Sequence, residues 1–479
     1  MNLKKQTFSG ILWTFTDTFF IKGLMFVAMI LLARWLGPVD FGLVGMIAVF
    51  VAIGKTLTDS GMTNSLIRSK NPDQTDYSTV FITNIVMSLS VYAIVYFAAP
   101  FIADFFGYKI LINIIRIYCI LFLIIAFSAV QLAILIKRME FKKITKINFP
   151  STLIGVTIGL YLGYNNYGIW SIVWMYLSTE FVRSVLLWLF SNWKPRFIFS
   201  KAKFKVHFKF GYKLVLSSLL DTVFKNIYNV LIGKYFSAQT LGFYERSKQF
   251  SEYPSATLTG VISKVAYPML SQIQDDPKRL EYIYRKLIRI SFFIIAPLML
   301  GLAAIAKPLF LIILGDEWMP AILFFQILTL AMMLYPIHSF NLNILQVYGR
   351  SDLFLKLEII KKIITIISIY FAFQYGVLGL ICSSVFTSFA ALGVNMFYSS
   401  KLINYPILIQ LKDLIITFVI AFFTAFLMFK ITFIFSNTSN IVQIMLASFV
   451  GVCFYLGINY IIKTSPLHQA ILLIKTRKQ

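Results

Sequence analysis

The run IYCILFLIIAFSAVQLAIL, from Ile117 to Leu135, holds nineteen residues without a charge. A bilayer core about 30 Å thick takes roughly 20 apolar residues as a helix, so this stretch is long enough to cross it. It is also continuous, whereas a strand of a membrane barrel alternates apolar and polar positions over about ten residues. Similar runs recur along nearly the whole chain. They predict fourteen helical spans, at 10–33, 41–66, 79–102, 111–136, 147–163, 169–190, 213–233, 242–270, 290–306, 320–346, 357–374, 377–398, 412–433 and 441–462; the stretch 242–270 is the least apolar. Composition agrees: of 479 residues 59% are hydrophobic and 13% charged, and mean hydropathy is +0.79. A soluble domain needs far more polar surface than that. The expected fold class is therefore an all-α integral membrane protein with about fourteen transmembrane helices.

A net charge of +25 first suggests a nucleic-acid partner, but its distribution points elsewhere. Alternate loops and their edges hold 31 of the 44 Lys and Arg, with five in Lys137–Lys146, seven in Ser191–Lys213 and five in Ser271–Arg289. The opposite loops hold Arg34, Lys109, Lys234, Lys307 and Lys430. That alternation is the positive-inside pattern. It predicts a multi-pass protein of the cytoplasmic membrane with both termini in the cytoplasm, and it gives no reason to expect nucleic acid. The first apolar stretch is too long for a cleavable signal and is expected to remain as the first span. Cys119, Cys382 and Cys453 all fall in apolar spans without metal-ligand spacing.

A weak internal repeat organises the chain. Ala33–Val44 aligns with Gly233–Tyr244 at an offset of 200, placing Pro38 over Ala238 and Gly42 over Gly242. Tyr167-Gly168-Ile169 echoes Tyr375-Gly376-Val377 at an offset of 208. Six expected spans separate the copies, and an even number returns the chain to the same side, so the halves are parallel repeats. The expected domains are an N-lobe of six spans at 1–190, a cytoplasmic linker at 191–212, a C-lobe of six spans at 213–400, and two further helices with a tail at 401–479. A two-lobed bundle places a substrate path between its lobes.

Charges inside spans mark candidate chemistry, because a charge at the bilayer centre costs at least about 2.5–3.5 kcal/mol on insertion scales. Away from span edges the basic ones are Lys22, Lys55, Arg116, Arg183, Lys225, Arg246, Lys248 and Lys264; the acids are Asp17, Asp59, Glu180, Asp221, Glu245 and Glu252. Most fall in spans 1, 2, 7 and 8, which correspond between the lobes. One reading is structural: Lys55 and Asp59, Asp221 and Lys225, and Lys248 and Glu252 stand four apart and can neutralise each other on a helix face. The other is functional: Lys22, Lys55, Lys225, Arg246 and Lys248 line a cationic site for an anionic substrate, and Asp17, Asp59, Asp221 and Glu245 serve coupling or gating. Arg116 and Arg183 stand nearer span ends, where snorkelling accounts for them. Pro254 and Pro336 are expected to kink spans 8 and 10.

Enzyme signatures are missing. Gly54-Lys55-Thr56 matches the end of a phosphate-binding loop, but Val49 stands where its first glycine belongs. His207, His338 and His468 are scattered and make no metal cluster. No cofactor and no catalytic residue is expected.

The motifs match a known pattern. Leu32-Ala33-Arg34-Trp35-Leu36-Gly37-Pro38 with Asp40-Phe41-Gly42 resembles the span 1–2 signature of Wzx-type polysaccharide flippases, in the multidrug/oligosaccharidyl-lipid/polysaccharide exporter superfamily. Asp59-Ser60-Gly61 with Leu66-Ile67, Leu241-Gly242-Phe243-Tyr244, Tyr267-Pro268-Met269-Leu270-Ser271, Leu314-Gly315 with Trp318, and Gly349-Arg350-Ser351-Asp352 resemble later blocks of that family, in order. The resemblance implies a V-shaped exporter fold of fourteen spans and no catalysis. It implies a flippase that moves an undecaprenyl-diphosphate-linked oligosaccharide to the outer leaflet by alternating access, for O-antigen, capsule or exopolysaccharide synthesis. It also implies a setting of membrane lipids, a polysaccharide polymerase and a chain-length regulator. The alternatives are a multidrug or cation antiporter or a peptidoglycan-precursor flippase of the same superfamily, and a membrane polysaccharide polymerase.

Overall fold

Helix α1, Leu3–Asp59, covers the first expected span and most of the second, and breaks in the turn expected between them. Gly37 sits there at φ 75° and ψ 176°, a backbone conformation closed to most side chains, and Pro38 follows without an N–H to give. The structure, a computed structural model, describes residues 3–59, 61–464 and 467, and the backbone alone at 3–19, 265 and 351. Asp17, one of the expected gating acids, therefore has a side chain outside the described residues.

After α1 come α2 (Met62–Arg68), α3 (Gln74–Phe106), α4 (Leu111–Tyr118), α5 (Leu121–Lys137), α6 (Phe141–Tyr164), α7 (Trp170–Phe190), α8 (Lys201–Lys225) and α9 (Ile227–Tyr235). Then follow α10 (Ala238–Gln272), α11 (Pro277–Ala304), α12 (Ala306–Ile313), α13 (Ala321–Met332), α14 (Tyr335–Val347), α15 (Ser351–Phe373), α16 (Gly376–Ser400), α17 (Ile407–Ile434) and α18 (Asn440–Ile461). Among the described residues nine helical stretches are long and apolar enough to cross a membrane, and two of them, Phe20–Asp59 and Asp352–Ser400, each cover two expected spans. The pair α8 and α9, bent by 43° at Asn226, qualifies together as a tenth. Helices α6 and α10 have the length of a span but do not pass as apolar. Phe97, Phe101, Tyr370, Leu408, Phe433 and Ile461 are each more than 70% exposed, a surface that suits acyl chains and not water.

The chain divides into two compact units, Met1–Gly242 and Phe243–Gln479. In the first, α6 packs on α7 and on α1, while α3 packs on α5. Helices α8 and α9, the seventh expected span, pack on α1 and α3 within this unit. The linker is sewn to the start of α3: Gln74 Nε2 donates to the Lys194 carbonyl at 2.8 Å and the Ser200 N–H to Thr79 Oγ1 at 3.1 Å. The two copies of the repeat also touch here. A Cβ on Gly42 would fall 1.6 Å from the Ala238 carbonyl oxygen, and one on Gly242 would fall 1.8 Å from that of Pro38. With the offset of 200 these two contacts are reciprocal, as a local two-fold relation requires.

In the second unit α17 packs on α11 and α18, around a core that includes Tyr284, Phe292, Ile337, Phe340 and Ala421. Asp413 on α17 fastens this packing: Arg285 donates to it through Nη2 at 2.9 Å, Arg289 pairs with it, and the Tyr405 hydroxyl donates to it at 2.6 Å. Burial and that carboxylate push the Tyr405 phenol up from its ordinary value, so it stays a donor. Pro336 stands in the first turn of α14, just after the break that ends α13. Pro254 stands inside α10. Helix α10 runs through it and through Pro268 as one element, since membrane helices re-satisfy the lost bond by small local adjustments.

Candidate functional site

Lys55 stands near the end of α1, and its charge is felt by two groups of α7, Glu180 and Arg183. These three make a mixed cluster with one net positive charge. Arg183 Nη1 spans both Glu180 oxygens at 3.3 and 3.2 Å, and its Nε is buried with no hydrogen-bond partner. Tyr118 of α4, also under the influence of Glu180, lies against Tyr176 of α7 with ring centroids 6.1 Å apart. A guanidinium with an idle, buried N–H within electrostatic reach of an ammonium is chemistry that suits an anion with several oxygens.

This arrangement corrects two expectations. Lys55 and Asp59 make no ion pair with each other among the described residues. A basic residue placed four before an acid is the weaker orientation on a helix, and Lys55 has Glu180 of another helix within electrostatic reach. Arg183 does not merely snorkel, since Glu180 one turn earlier holds it. Arg116 likewise lies over the Tyr96 ring, 4.3 Å from its centroid, and donates to the Tyr96 carbonyl.

Helix α8 approaches the same part of α1. Thr56 Oγ1 and Thr222 Oγ1 are 3.5 Å apart, so the residues next to Lys55 and Asp221 face each other. Lys225 is exposed one turn further along α8, and Asp221 is half-buried. Lys22, on the first half of α1, is exposed. In the second unit α10 carries Glu245, half-buried, Arg246, only 6% exposed, and Lys248, whose ammonium stands 5.8 Å from the centre of the Tyr244 ring. Among the described residues no group of three metal-ligating side chains gathers.

Sequence reading placed Glu180 and Arg183 inside a span but left them out of the site. The clue was available in their type: two opposite charges one turn apart in an apolar helix are costly to lipid and call for partners inside the bundle. Asp40, by contrast, has a structural part in its motif. Its carboxylate accepts from the Ile169 backbone N–H and sits beside Gly168, capping the start of α7.

Many apolar helices and charges held inside one unit define a polytopic helical membrane protein. Residues 31–323 match the family described as polysaccharide biosynthesis protein, and the chain belongs to that family. It is 26% identical to the lipopolysaccharide biosynthesis protein WzxC of Escherichia coli K12, over 76% of this chain and 75% of that protein. It is 25% identical to the succinoglycan biosynthesis transport protein ExoT of Rhizobium meliloti, over 63% of this chain and 61% of that one. Its fold matches that of the lipid II flippase MurJ in an inward closed conformation, with a TM-score of 0.76 at 17% identity, over 95% of this chain and all of that chain.

Proposed function

We propose that this chain flips an undecaprenyl-diphosphate-linked oligosaccharide across the cytoplasmic membrane by alternating access, for surface polysaccharide synthesis. The observation that carries the reading is the family match together with a MurJ-like fold: a polysaccharide biosynthesis protein built as a lipid-precursor flippase is built. Relatives named for lipopolysaccharide biosynthesis and for succinoglycan transport support it. The cluster of Lys55, Arg183 and Glu180 supports an anionic headgroup: two cations offset the dehydration of a diphosphate, and Glu180 keeps them from holding it irreversibly. Lys22, Lys225, Arg246 and Lys248 are the further cations proposed for the substrate, with Asp17, Asp59, Asp221 and Glu245 for coupling or gating. A polymerase and a chain-length regulator are the proposed partners downstream.

We further propose fourteen crossings, with α6 and α10 spanning despite their polarity, and both termini and the basic linker 191–212 in the cytoplasm, which the lysine and arginine asymmetry supports. With them goes the division into 1–190, 213–400 and 401–479 around that linker.

The experiment replaces Lys22, Lys55 and Lys225 together by Gln in a strain whose own flippase is deleted. The wild-type chain restores surface polysaccharide. The triple variant, present in the membrane at the same level, leaves the lipid-linked oligosaccharide on the inner leaflet. Unchanged surface polysaccharide in the triple variant overturns the headgroup site. Rescue of drug efflux by the wild-type chain, with no polysaccharide restored, favours an antiporter.

A further inference from the structure

A groove of about 560 Å³ runs between α3, α5 and α7 in the first unit, and Leu89, Leu123, Phe127, Phe181, Trp188 and Leu189 are among its walls. Leu89, Phe181 and Leu189 are exposed, so the groove is open along its side. It offers water almost nothing. Its one hydroxyl, on Ser184, belongs to a residue only 6% exposed, and Trp188 Nε1 already donates to the Phe127 carbonyl at 2.9 Å. The third expected span begins at 79, so at 1.5 Å per residue Leu89 lies roughly 15 Å into it. Phe181 stands roughly 13 Å before the end of α7 at the same rise. A bilayer core is about 30 Å thick. The groove therefore runs from the linker side to the middle of the bilayer, which is the reach of one acyl chain.

An aromatic column joins this groove to the basic linker. The Phe127 and Trp188 rings stack with centroids 4.9 Å apart, and Phe81 lies 5.9 and 6.2 Å from them. Trp193 stands 5.9 Å from Phe81, and Tyr77 stands 6.0 Å from Trp193. At the head of the column, hydrogen bonds fix the backbone on both sides of Pro195. The Lys194 carbonyl accepts from Gln74 Nε2 at 2.8 Å, and the Arg196 N–H donates to Ser78 Oγ at 3.1 Å. Both basic side chains are exposed, as is Arg138 at the end of α5, within electrostatic reach of Tyr77. No acid occurs between Ser191 and Lys213. The acids on the neighbouring helix starts have their own cations: Asp73 and Asp76 face Lys203, and Glu140 faces Lys143. Positive charge thus stands over an apolar slot. Phe197, Ile198 and Phe199 follow in the linker, all exposed. Apolar residues set among basic ones suit a segment lying at the boundary of headgroups and acyl chains.

We propose that the groove and the linker above it bind one anionic glycerophospholipid of the linker-side leaflet. An acyl chain fills the groove, and Lys194, Arg196 and Arg138 hold the phosphate. Charge and length choose this occupant. A zwitterionic lipid has no net charge to offer three cations. A polyprenyl chain long enough to cross the bilayer overfills a groove that ends at its middle. The bound lipid fastens the linker to α3, α5 and α7, because its head touches the one and its chain the others. The inference stands on these contacts alone and does not need the flippase reading.

The test places the full chain in phosphatidylethanolamine vesicles that hold a trace of phosphatidylglycerol with a photoreactive diazirine on its acyl chain. Adducts are mapped by peptide and are expected to concentrate on 85–89, 123–127 and 181–189. A phosphatidylcholine probe with the same diazirine is expected to label these peptides several-fold less. Lys194→Gln with Arg196→Gln should lower the phosphatidylglycerol adducts several-fold too, and since both side chains are exposed the fold is not at stake. Lys278→Gln with Arg279→Gln, an exposed basic pair at the start of α11, should leave them unchanged. Leu89→Trp narrows the groove, spares the charges and should also lower them. Unlabelled phosphatidylglycerol should compete, and undecaprenyl phosphate should not. Equal labelling by the two probes, adducts spread evenly over the apolar helices, equal losses in the two paired variants, full labelling of Leu89→Trp, or displacement by undecaprenyl phosphate overturns the proposal.

Discussion

Gly42→Ala is expected to cut polysaccharide export at least tenfold while leaving the chain in the membrane, and Gly242→Ala is expected to match it. A methyl group at Gly42 would lie 1.6 Å from the Ala238 carbonyl oxygen, and one at Gly242 would lie 1.8 Å from that of Pro38. Both obstacles are backbone, so no rotamer change relieves them and the helices must part. Overpacking of this kind typically costs about 1–3 kcal/mol, occasionally more, and about 1.4 kcal/mol is a factor of ten in an equilibrium. Because the contacts are reciprocal, the separation that admits the first methyl also admits most of the second. The double variant should therefore fall well short of the sum of the single effects, as coupled neighbours do. Gly393→Ala, with open space around its new methyl, is the control and should export normally. Strict additivity, or full export from either single variant, would show that this close approach is not needed for transport.

Those two glycines also show what the sequence made legible and where it stopped. The repeat at an offset of 200 was visible as paired aromatics, turns and glycines, and it picked out the residues that meet. That they meet each other was not visible, because a repeat reports similarity and not proximity. Continuous apolar runs such as Ile117–Leu135 announced a helical membrane fold, since the strands of a barrel, the other structure that satisfies its backbone in lipid, would alternate. The same hydropathy reasoning is weaker at α6 and α10, whose polar residues find acceptors: Ser151 of α6 donates to the Ile147 carbonyl of its own helix, and Ser247 and Ser255 of α10 donate to the carbonyls of Ala321 and Met332. The candidate site followed the same division. Lys55 stood out as a charge in an apolar helix, whereas its association with Glu180 and Arg183, more than a hundred residues on, is a product of packing. His207 was passed over as one of three scattered histidines, and only the fold brings Ser65 and Asp76 to its two nitrogens.

The second large effect is expected at Asp413, where Ala should lower stability by about 3 kcal/mol, at the lower end of the loss for a broken buried pair. The carboxylate is 5% exposed and receives Arg285, Arg289 and the Tyr405 hydroxyl at once. Removing it leaves two guanidinium groups facing each other with no counter-charge. Arg285 and Arg289 keep 35% and 21% exposure, so water recovers part of the loss. Asp413→Asn keeps an acceptor but not the charge and should fall between wild type and Ala. Tyr405→Phe removes one hydrogen bond and should cost only about 0.5–1.5 kcal/mol. Replacing Asp413, Arg285 and Arg289 together by Leu should recover much of the deficit, because apolar substitutes for a whole buried ionic cluster are often neutral. The measurement is the fraction of detergent-solubilised protein that stays monodisperse after heating. The consequence reaches beyond stability, since Asp413 joins α17 to α11, and α17 begins the pair of expected spans that have no counterpart in the repeat. Loosening that joint should leave the fold of 1–242 intact, as limited proteolysis would report. An Asp413→Ala protein as heat-resistant as wild type would mean that apolar packing alone secures α17 and α18.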